Sequence, residues 1–189
     1  DDVHGVAQQR LAIGSGTRSV RPARRASTDN ASATPLDPGA GANIALACDI
    51  VLAARSAKFV MAFSKLGLVP DCGGSWVLPR VAGRARAVGL LMLGDNLSAE
   101  QAAQWGMIWQ VVDDAELKDT ALTMARRFAT QPTYGLGLIK KALQLSETNT
   151  LDQQLELERD YQRMAGRSDD YREGVSAFLG KRPPQFSGK

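Results

Sequence analysis

The chain has 189 residues, of which 44% are hydrophobic and 23% charged, values typical of a soluble globular protein. The longest apolar run, residues 44–54, is about half as long as a membrane span and contains Asp49, which excludes a transmembrane helix there. Two cysteines, Cys48 and Cys72, are too few for a disulfide framework or a cysteine-based zinc site, and a net charge of +3 is too small to indicate nucleic-acid binding. The first residues lack the basic and apolar stretches of a secretory signal, so we expect a cytoplasmic protein with free thiols.

Residues 1–38 differ in composition from the rest of the chain. They are rich in glycine, proline, serine and threonine, with few large apolar residues and no aromatic one. Such a segment buries little surface to offset the entropy lost on ordering. We therefore expect an irregular or disordered arm, in which residues 6–13 form a short helix only if they dock on another part of the protein.

An α/β portion is predicted to follow this arm. Residues 42–48 suit a short buried helix opened by a glycine turn, and the β-branched residues after them suit a buried strand. Pro79 is expected to bend or end the helix in which it lies. The predicted elements are a helix over 42–48, strands over 49–54 and 58–61, a turn over 70–74, a helix over 75–81 and another over 84–93.

Mostly helical structure is predicted for the rest of the chain. Ser98 and Gln101 have the spacing of a capping box, as do Thr150 and Gln153, and Ser168 is expected to cap a last helix that runs through residue 178. The other predicted elements are a strand over 107–112 and helices with apolar stripes at Leu117, Ala121, Met124 and Phe128 and at Leu136, Ile139 and Leu143.

Several familiar chemistries do not fit the residues present. The single histidine, His4, lies in the arm, so a catalytic triad would require the arm to fold into a pocket, and a site with paired histidine ligands is excluded. The glycines at 39 and 41 lack the third glycine of a dinucleotide-binding loop, because Ile44 occupies its place. We expect no metal site.

Three local features leave alternatives open. The glycines around Ala40 open a helix whose free N–H groups suit an oxyanion, but a tight turn needs the same residues. Asp71 is a lone carboxylate among apolar neighbours, which suits either proton transfer or the capping of a helix. A nearby helix start would lower the pKa of the Cys72 thiol, but no base lies near it in sequence, so a small space-filling residue is the favoured interpretation.

Four motifs in chain order resemble the enoyl-CoA hydratase/isomerase, or crotonase, superfamily. Residues 39–51, Gly-Ala-Gly-Ala-Asn-Ile-Ala-Leu-Ala-Cys-Asp-Ile-Val, resemble its glycine-rich oxyanion helix and the strand that follows. The other three motifs lie at residues 57–76, 94–106 and 168–178. The resemblance implies the α/β fold class, with a partial crotonase-like β-β-α spiral followed by a C-terminal helical trimerisation region. The expected domains are the arm at 1–38, unrelated to the family, a partial crotonase core at 39–114 and a C-terminal helical region at 115–189.

The resemblance implies chemistry on an acyl-CoA thioester. Ala40 matches the residue whose backbone N–H is the second of two that hold the thioester oxygen as it becomes an enolate. Hydratases of the family use two glutamates, and those positions match Asn43 and Phe63, neither of which transfers that proton. Asp71 matches the single acid/base of the isomerases. The sequence Pro-Asp-Cys-Gly-Gly-Ser-Trp is most similar to members that rearrange ring-1,2-epoxyphenylacetyl-CoA to an oxepin-CoA, and the same carboxylate would also shift double bonds of unsaturated acyl-CoA.

The resemblance also implies binding residues and partners. No separate cofactor is expected because CoA is part of the substrate, and the expected assembly is a homotrimer or hexamer with no nucleic-acid or membrane partner. The positions that match the substrate-binding region are Gly39, Gly41, Asn43, Phe63 and Leu66, with Phe178 and Lys181 matching a region near the CoA nucleotide of an adjoining subunit.

The resemblance does not extend to residues 1–38. Members of the family carry the first oxyanion donor and much of the CoA site in a segment before the glycine-rich helix, and none of its motifs occurs here. We expect a truncated gene whose opening is read out of frame or is otherwise unrelated, with weak or absent activity. The alternative function is a catalytically inactive oligomerising fragment of such an enzyme.

Overall fold

The computed structural model describes Leu11–Gly14 and residues 40–189, which divide into two compact units. The first unit contains Leu11–Gly14 and residues 40–123, and the second contains residues 124–189. The strands are β1 (Leu11–Gly14), β2 (Ile50–Ala54), β3 (Lys58–Val60), β4 (Asn96–Ser98) and β5 (Gln110–Val112). The helices are α1 (Ala40–Leu46), α2 (Gly74–Ala82), α3 (Arg84–Leu93), α4 (Ala99–Gln104), α5 (Leu117–Ala129), α6 (Thr133–Ser146), α7 (Leu151–Ala165) and α8 (Asp169–Leu179), with 3₁₀ helices at Ala62–Leu66 and Asp114–Glu116.

A parallel sheet in the order β1-β2-β5 forms the centre of the first unit. β2 pairs on both sides, and its residues 51–54 are all buried, as expected for the apolar central strand of a parallel sheet. β1 corrects the sequence prediction for Leu11–Gly14, which form a strand rather than irregular chain or a helix. The reason is non-local, because the backbone groups of β1 are paired with those of a strand almost 40 residues further along the sequence. The rest of the predicted arm lies outside the described residues.

The second, two-stranded sheet pairs β3 with β4 in antiparallel register, and the facing Phe59 and Leu97 are both buried. α1 packs against α2, α2 packs against α3, and α4 follows β4 directly. The largest fully buried side chains of this unit are Phe59, Leu52, Met61, Leu78 and Asn43. Asn43 is the one polar member of that set, so its side-chain amide is expected to have a hydrogen-bond partner.

Locally determined helix boundaries agree with the sequence. α3 has the predicted bounds, and both predicted capping boxes, at Ser98 and Thr150, are present with their reciprocal hydrogen bonds. α2 spans Gly74–Ala82, close to the predicted 75–81, so of the two expected effects of Pro79 the structure excludes an end of the helix at that residue. Pro79 deprives the carbonyl of Ser75 of its helical partner, but Ser75 lies in the exposed first turn, where water can replace that partner. β5 is shorter than the predicted strand over 107–112.

The second unit consists of the end of α5, helices α6 to α8 and a C-terminal segment. Gln154 on α7 donates a hydrogen bond from Nε2 to the carbonyl of Ala142 on α6 at 3.2 Å. The buried carboxylate of Asp170 accepts hydrogen bonds from the backbone N–H groups of Ser187 and Gly188, which fixes the C-terminal segment to the start of α8. None of the helices in the described part of the chain combines the length and apolar character needed to cross a membrane.

Candidate active site

The glycine-rich motif places Ala40 at the first position of α1. The predicted helix is therefore present, and the N–H groups of its first turn have no partner within the helix. Gly41 is half-buried, and Gly39 lies outside the described residues. Because α1 packs against α2, the turn just before α2, which contains Asp71, lies next to α1.

Asp71 lies in the turn that leads into α2, and its side chain does not cap that helix. The N-cap of α2 is Gly73, in the left-handed conformation, and the cap makes no side-chain hydrogen bond. The capping alternative for Asp71 is therefore wrong. Asp71 is exposed, so the carboxylate is accessible to a molecule that approaches this turn.

The Asp71 main chain is held by two hydrogen bonds to a single carbonyl oxygen. The backbone N–H of Gly74 donates to it at 2.8 Å, and Nδ2 of Asn43 donates to it at 3.0 Å. A carbonyl oxygen has two lone pairs, and both are used here. The structure thus brings together two residues that are 28 positions apart in the sequence, Asn43 and Asp71.

Gly74 is a residue of the candidate site that the sequence prediction missed. A Cβ at this position would overlap all three atoms of the Asn43 side-chain amide, so only glycine leaves room for that amide. The backbone of Gly74 is not left-handed, unlike that of Gly73, so the requirement is steric and not conformational. The sequence Gly-Gly was consistent with a turn, and no signal in it distinguished the second glycine from the first.

Cys72 combines an unusual backbone with a weakly acidic thiol. It adopts a positive φ of 48°, a conformation that is costly for a residue with a Cβ. The pKa of the Cys72 thiol is raised, mainly because the thiol is desolvated. A hydrogen bond with the Asp71 side chain and the negative charge of that side chain raise it further. The pKa of the thiol is therefore not lowered as the first alternative required. The favoured interpretation, a small space-filling residue, is also wrong, because Cys72 is exposed.

Phe63 and Leu66 lie on the 3₁₀ helix at Ala62–Leu66 in the first unit. Phe63 is half-buried, and its carbonyl accepts a hydrogen bond from the N–H of Leu68 at 2.9 Å. Leu66 is 75% exposed. Phe63 has no ionisable group, so a second carboxylate is absent from the position at which hydratases of this type are expected to have one.

Phe178 and Lys181 lie in the second unit, near the end of α8. Phe178 is 83% exposed, and Lys181 has a positive φ of 49°. The next residue, Arg182, forms a bidentate pair with Glu173, with nitrogen–oxygen distances of 2.6 and 2.8 Å. This pair, followed by the backbone N–H of Gln185, lowers the pKa of Glu173 to about 2. The Glu173–Arg182 pair therefore holds the chain directly after α8, which contains Lys181, against that helix.

The sheets, the glycine-opened helix and the exposed carboxylate of Asp71 are the features expected of an α/β protein of the crotonase type. The sequence model described as Enoyl-CoA hydratase/isomerase matches residues 36–189, and the chain belongs to this family. The predicted fold class, a partial crotonase-like α/β fold followed by a C-terminal helical region, is thereby confirmed.

Individual relatives agree with this assignment. The chain is 76% identical over 151 residues to the 1,2-epoxyphenylacetyl-CoA isomerase of Escherichia coli strain K12, a match that covers 80% of this chain and 58% of the relative. It is 34% identical to the 2,3-dehydroadipyl-CoA hydratase of the same strain, covering 80% and 59%. The crystal structure of an enoyl-CoA hydratase from Polaromonas sp. JS666 matches with a TM-score of 0.77 and 41% identity, covering 81% and 59%. The chain thus spans about three fifths of the length of these relatives.

Proposed function

We propose that this chain is an acyl-CoA isomerase in which Asp71 is the acid/base. The observation that carries the proposal is the distribution of acidic groups. Asp71 is exposed on a fixed turn, whereas the two positions that match the hydratase glutamates hold Asn43, whose amide is committed to the Asp71 carbonyl, and Phe63. One carboxylate suits the transfer of a proton between two carbons of a substrate, and activation of water in a hydratase uses two.

The proposed reaction on an unsaturated acyl-CoA shifts a double bond. The Asp71 carboxylate removes the proton on the carbon next to the thioester of a β,γ-unsaturated acyl-CoA, and the electron pair moves toward the thioester oxygen. The same group then returns the proton to the γ carbon, so the product has the composition of the substrate. The N–H of Ala40 at the start of α1 stabilises the enolate oxygen, for which each such donor contributes about 10²–10³ in rate.

The proposed natural substrate is ring-1,2-epoxyphenylacetyl-CoA, rearranged without loss or gain of atoms to an oxepin-CoA. Its support is the identity with the Escherichia coli 1,2-epoxyphenylacetyl-CoA isomerase. In this proposal CoA belongs to the substrate and no other cofactor takes part. The proposed contacts to the substrate come from Gly39, Gly41, Phe63 and Leu66, and from Phe178 and Lys181 of an adjoining subunit.

We further propose a cytoplasmic homotrimer or hexamer. Apolar side chains on the helices of the second unit support assembly, because large exposed apolar surfaces mark interaction sites. Those more than half exposed are Ile139, Leu143, Leu151, Leu155, Tyr171, Phe178 and Leu179. The same observation favours the alternative function, an assembling subunit without activity of its own.

An isomerase assay with matched variants tests the proposal. Asp71→Asn keeps the size of the side chain and removes its proton-accepting charge, and we expect kcat to fall about 10²–10⁴-fold with the protein still folded. Asp119→Asn makes the same change on an exposed face of α5 and serves as the control. Wild-type turnover that Asp71→Asn leaves unchanged refutes the assignment. A wild-type oligomer without turnover supports the assembling subunit instead.

A further inference from the structure

We propose that Asn43 is a positioning residue for Asp71, and that its side-chain N–H fixes the main chain from which the reacting carboxylate projects. This inference rests on the proposed function, in which Asp71 transfers the proton. It differs from a role in lining the substrate pocket, because the observed contact of Asn43 is with the Asp71 segment itself.

The first support is the geometry of the contact. Asn43 is 1% exposed on α1, and Nδ2 lies 3.0 Å from the carbonyl oxygen of Asp71. A carboxylate at this position has no hydrogen to donate, so a buried acid facing the same carbonyl would repel it. The bond links an exposed turn to a buried helix, and it therefore restricts where the carboxylate of Asp71 can lie.

The second support is the cost of burying this amide. Its Oδ1 atom is buried and has no hydrogen-bond partner among the described residues. Leaving a buried acceptor unsatisfied is unfavourable, and an apolar side chain of similar size would avoid that cost. The contact made by the N–H is therefore the feature of Asn43 that an apolar residue cannot supply.

The third support comes from the backbone that follows Asp71. Cys72 and Gly73 adopt consecutive left-handed conformations, with φ of 48° and 79°. A non-glycine residue persists in this conformation only where surrounding contacts fix it. The hydrogen bonds from Asn43 and from the backbone of Gly74 to the Asp71 carbonyl fix the residue immediately before this strained step.

Gly74 allows the hydrogen bond to be separated from simple packing. A methyl group at Gly74 would occupy the space of the Asn43 amide. In Asn43→Ala the amide is lost and a void remains, whereas in Asn43→Ala/Gly74→Ala the new methyl group refills part of that void without restoring the N–H. Both variants thus lack the Asn43 N–H donor, but the void left by the amide is partly filled only in the double variant.

The test compares these variants with Gln154→Ala in the full chain. Gln154 also donates a side-chain amide hydrogen bond to a main-chain carbonyl, but it does so between α6 and α7 of the second unit. We expect Asn43→Ala to lower kcat about 10- to 100-fold with KM within about threefold of wild type, because a misplaced reacting group slows the chemical step. The double variant is expected to regain thermal stability but not kcat. Gln154→Ala is expected to lose stability and keep its kcat.

A second readout does not depend on turnover. Asp71 contributes to the raised pKa of the Cys72 thiol, so a displaced Asp71 lowers that pKa. The pH dependence of Cys72 alkylation by iodoacetamide, followed by mass spectrometry of the labelled peptide, is expected to shift to lower pH in Asn43→Ala and in the double variant. It is expected to stay unchanged in Gln154→Ala.

Two results would overturn the inference. The first is a double variant whose kcat recovers to within about threefold of wild type, because packing alone would then account for Asn43. The second is an alkylation profile that Asn43→Ala leaves unchanged. A wild-type chain without isomerase activity would instead refute the proposed function, and in that case the alkylation profile alone decides the role of Asn43.

Discussion

Gly74→Ala is a substitution in which one added methyl group is expected to have a large effect on stability. Alanine is compatible with the backbone of Gly74, which begins α2 without a positive φ. The added Cβ overlaps the Nδ2, Cγ and Oδ1 atoms of the buried Asn43. Asn43 therefore has to move, and its hydrogen bond to the Asp71 carbonyl is lost.

The expected magnitude combines three effects. Overpacking of a buried site costs about 1–3 kcal/mol, and the lost hydrogen bond costs about 0.5–1.5 kcal/mol. The reduced freedom of the unfolded chain offsets about 0.4–1 kcal/mol. The net destabilisation is about 2 kcal/mol, which corresponds to a Tm lower by about 4–8 °C for a protein of this size.

Urea denaturation and thermal unfolding measure this effect against Gly89→Ala. Gly89 lies within α3, has an ordinary φ, and no atom comes within 4 Å of a Cβ built there. The control variant is expected to be more stable than wild type by about 0.5–1 kcal/mol. If Gly74→Ala is as stable as Gly89→Ala, the close packing of Gly74 on Asn43 is refuted.

Three further predictions concern local interactions. The pKa of Glu173 is lowered to about 2 from 4.5, so the ionised carboxylate stabilises the C-terminal segment fully above pH 4.5, and this stabilisation is lost as the pH falls through 2. Hydrogen exchange at the Gln185 amide should show this pH dependence, and Glu173→Gln should abolish it. Ser98→Ala removes the side-chain half of the α4 capping box and should cost about 1 kcal/mol in urea denaturation, with an unchanged result contradicting the cap. Asp170→Ala removes the acceptor that holds the N–H groups of Ser187 and Gly188, so carboxypeptidase should trim the C-terminal segment faster than in wild type, and equal rates would contradict this role.

The helices show where local chemistry is sufficient. The serine at 98 and the threonine at 150 begin helices because their hydroxyl groups accept a hydrogen bond three residues ahead, an interaction complete within four residues. The hydroxyl of Ser168 does the same for α8. Local sequence was not sufficient at Pro79, which lies inside α2. The free-energy cost of a proline in a helix depends on whether water reaches the carbonyl that the proline leaves without a partner.

Strand β1 shows where the sequence is insufficient. Leu11–Gly14 has no pattern that distinguishes it from an irregular segment, and its four residues become a strand by pairing in parallel with β2. Parallel pairing joins segments distant in the chain, so no short window of sequence contains both halves of the interaction.

The sequence by itself determined the chemical inventory of the candidate site. A single carboxylate in an otherwise uncharged stretch, glycines before a helix, and family motifs in order were enough to select Asp71 and the start of α1. The sequence left open whether Asp71 caps a helix, and the structure decided this because Gly73 occupies the cap position. Only the tertiary structure showed that the amide of Asn43 reaches the carbonyl of Asp71 and that Gly74 must lack a side chain for this to occur. The physical reason is that these contacts depend on how α1 packs against α2, a distance and an orientation that neither helix encodes alone.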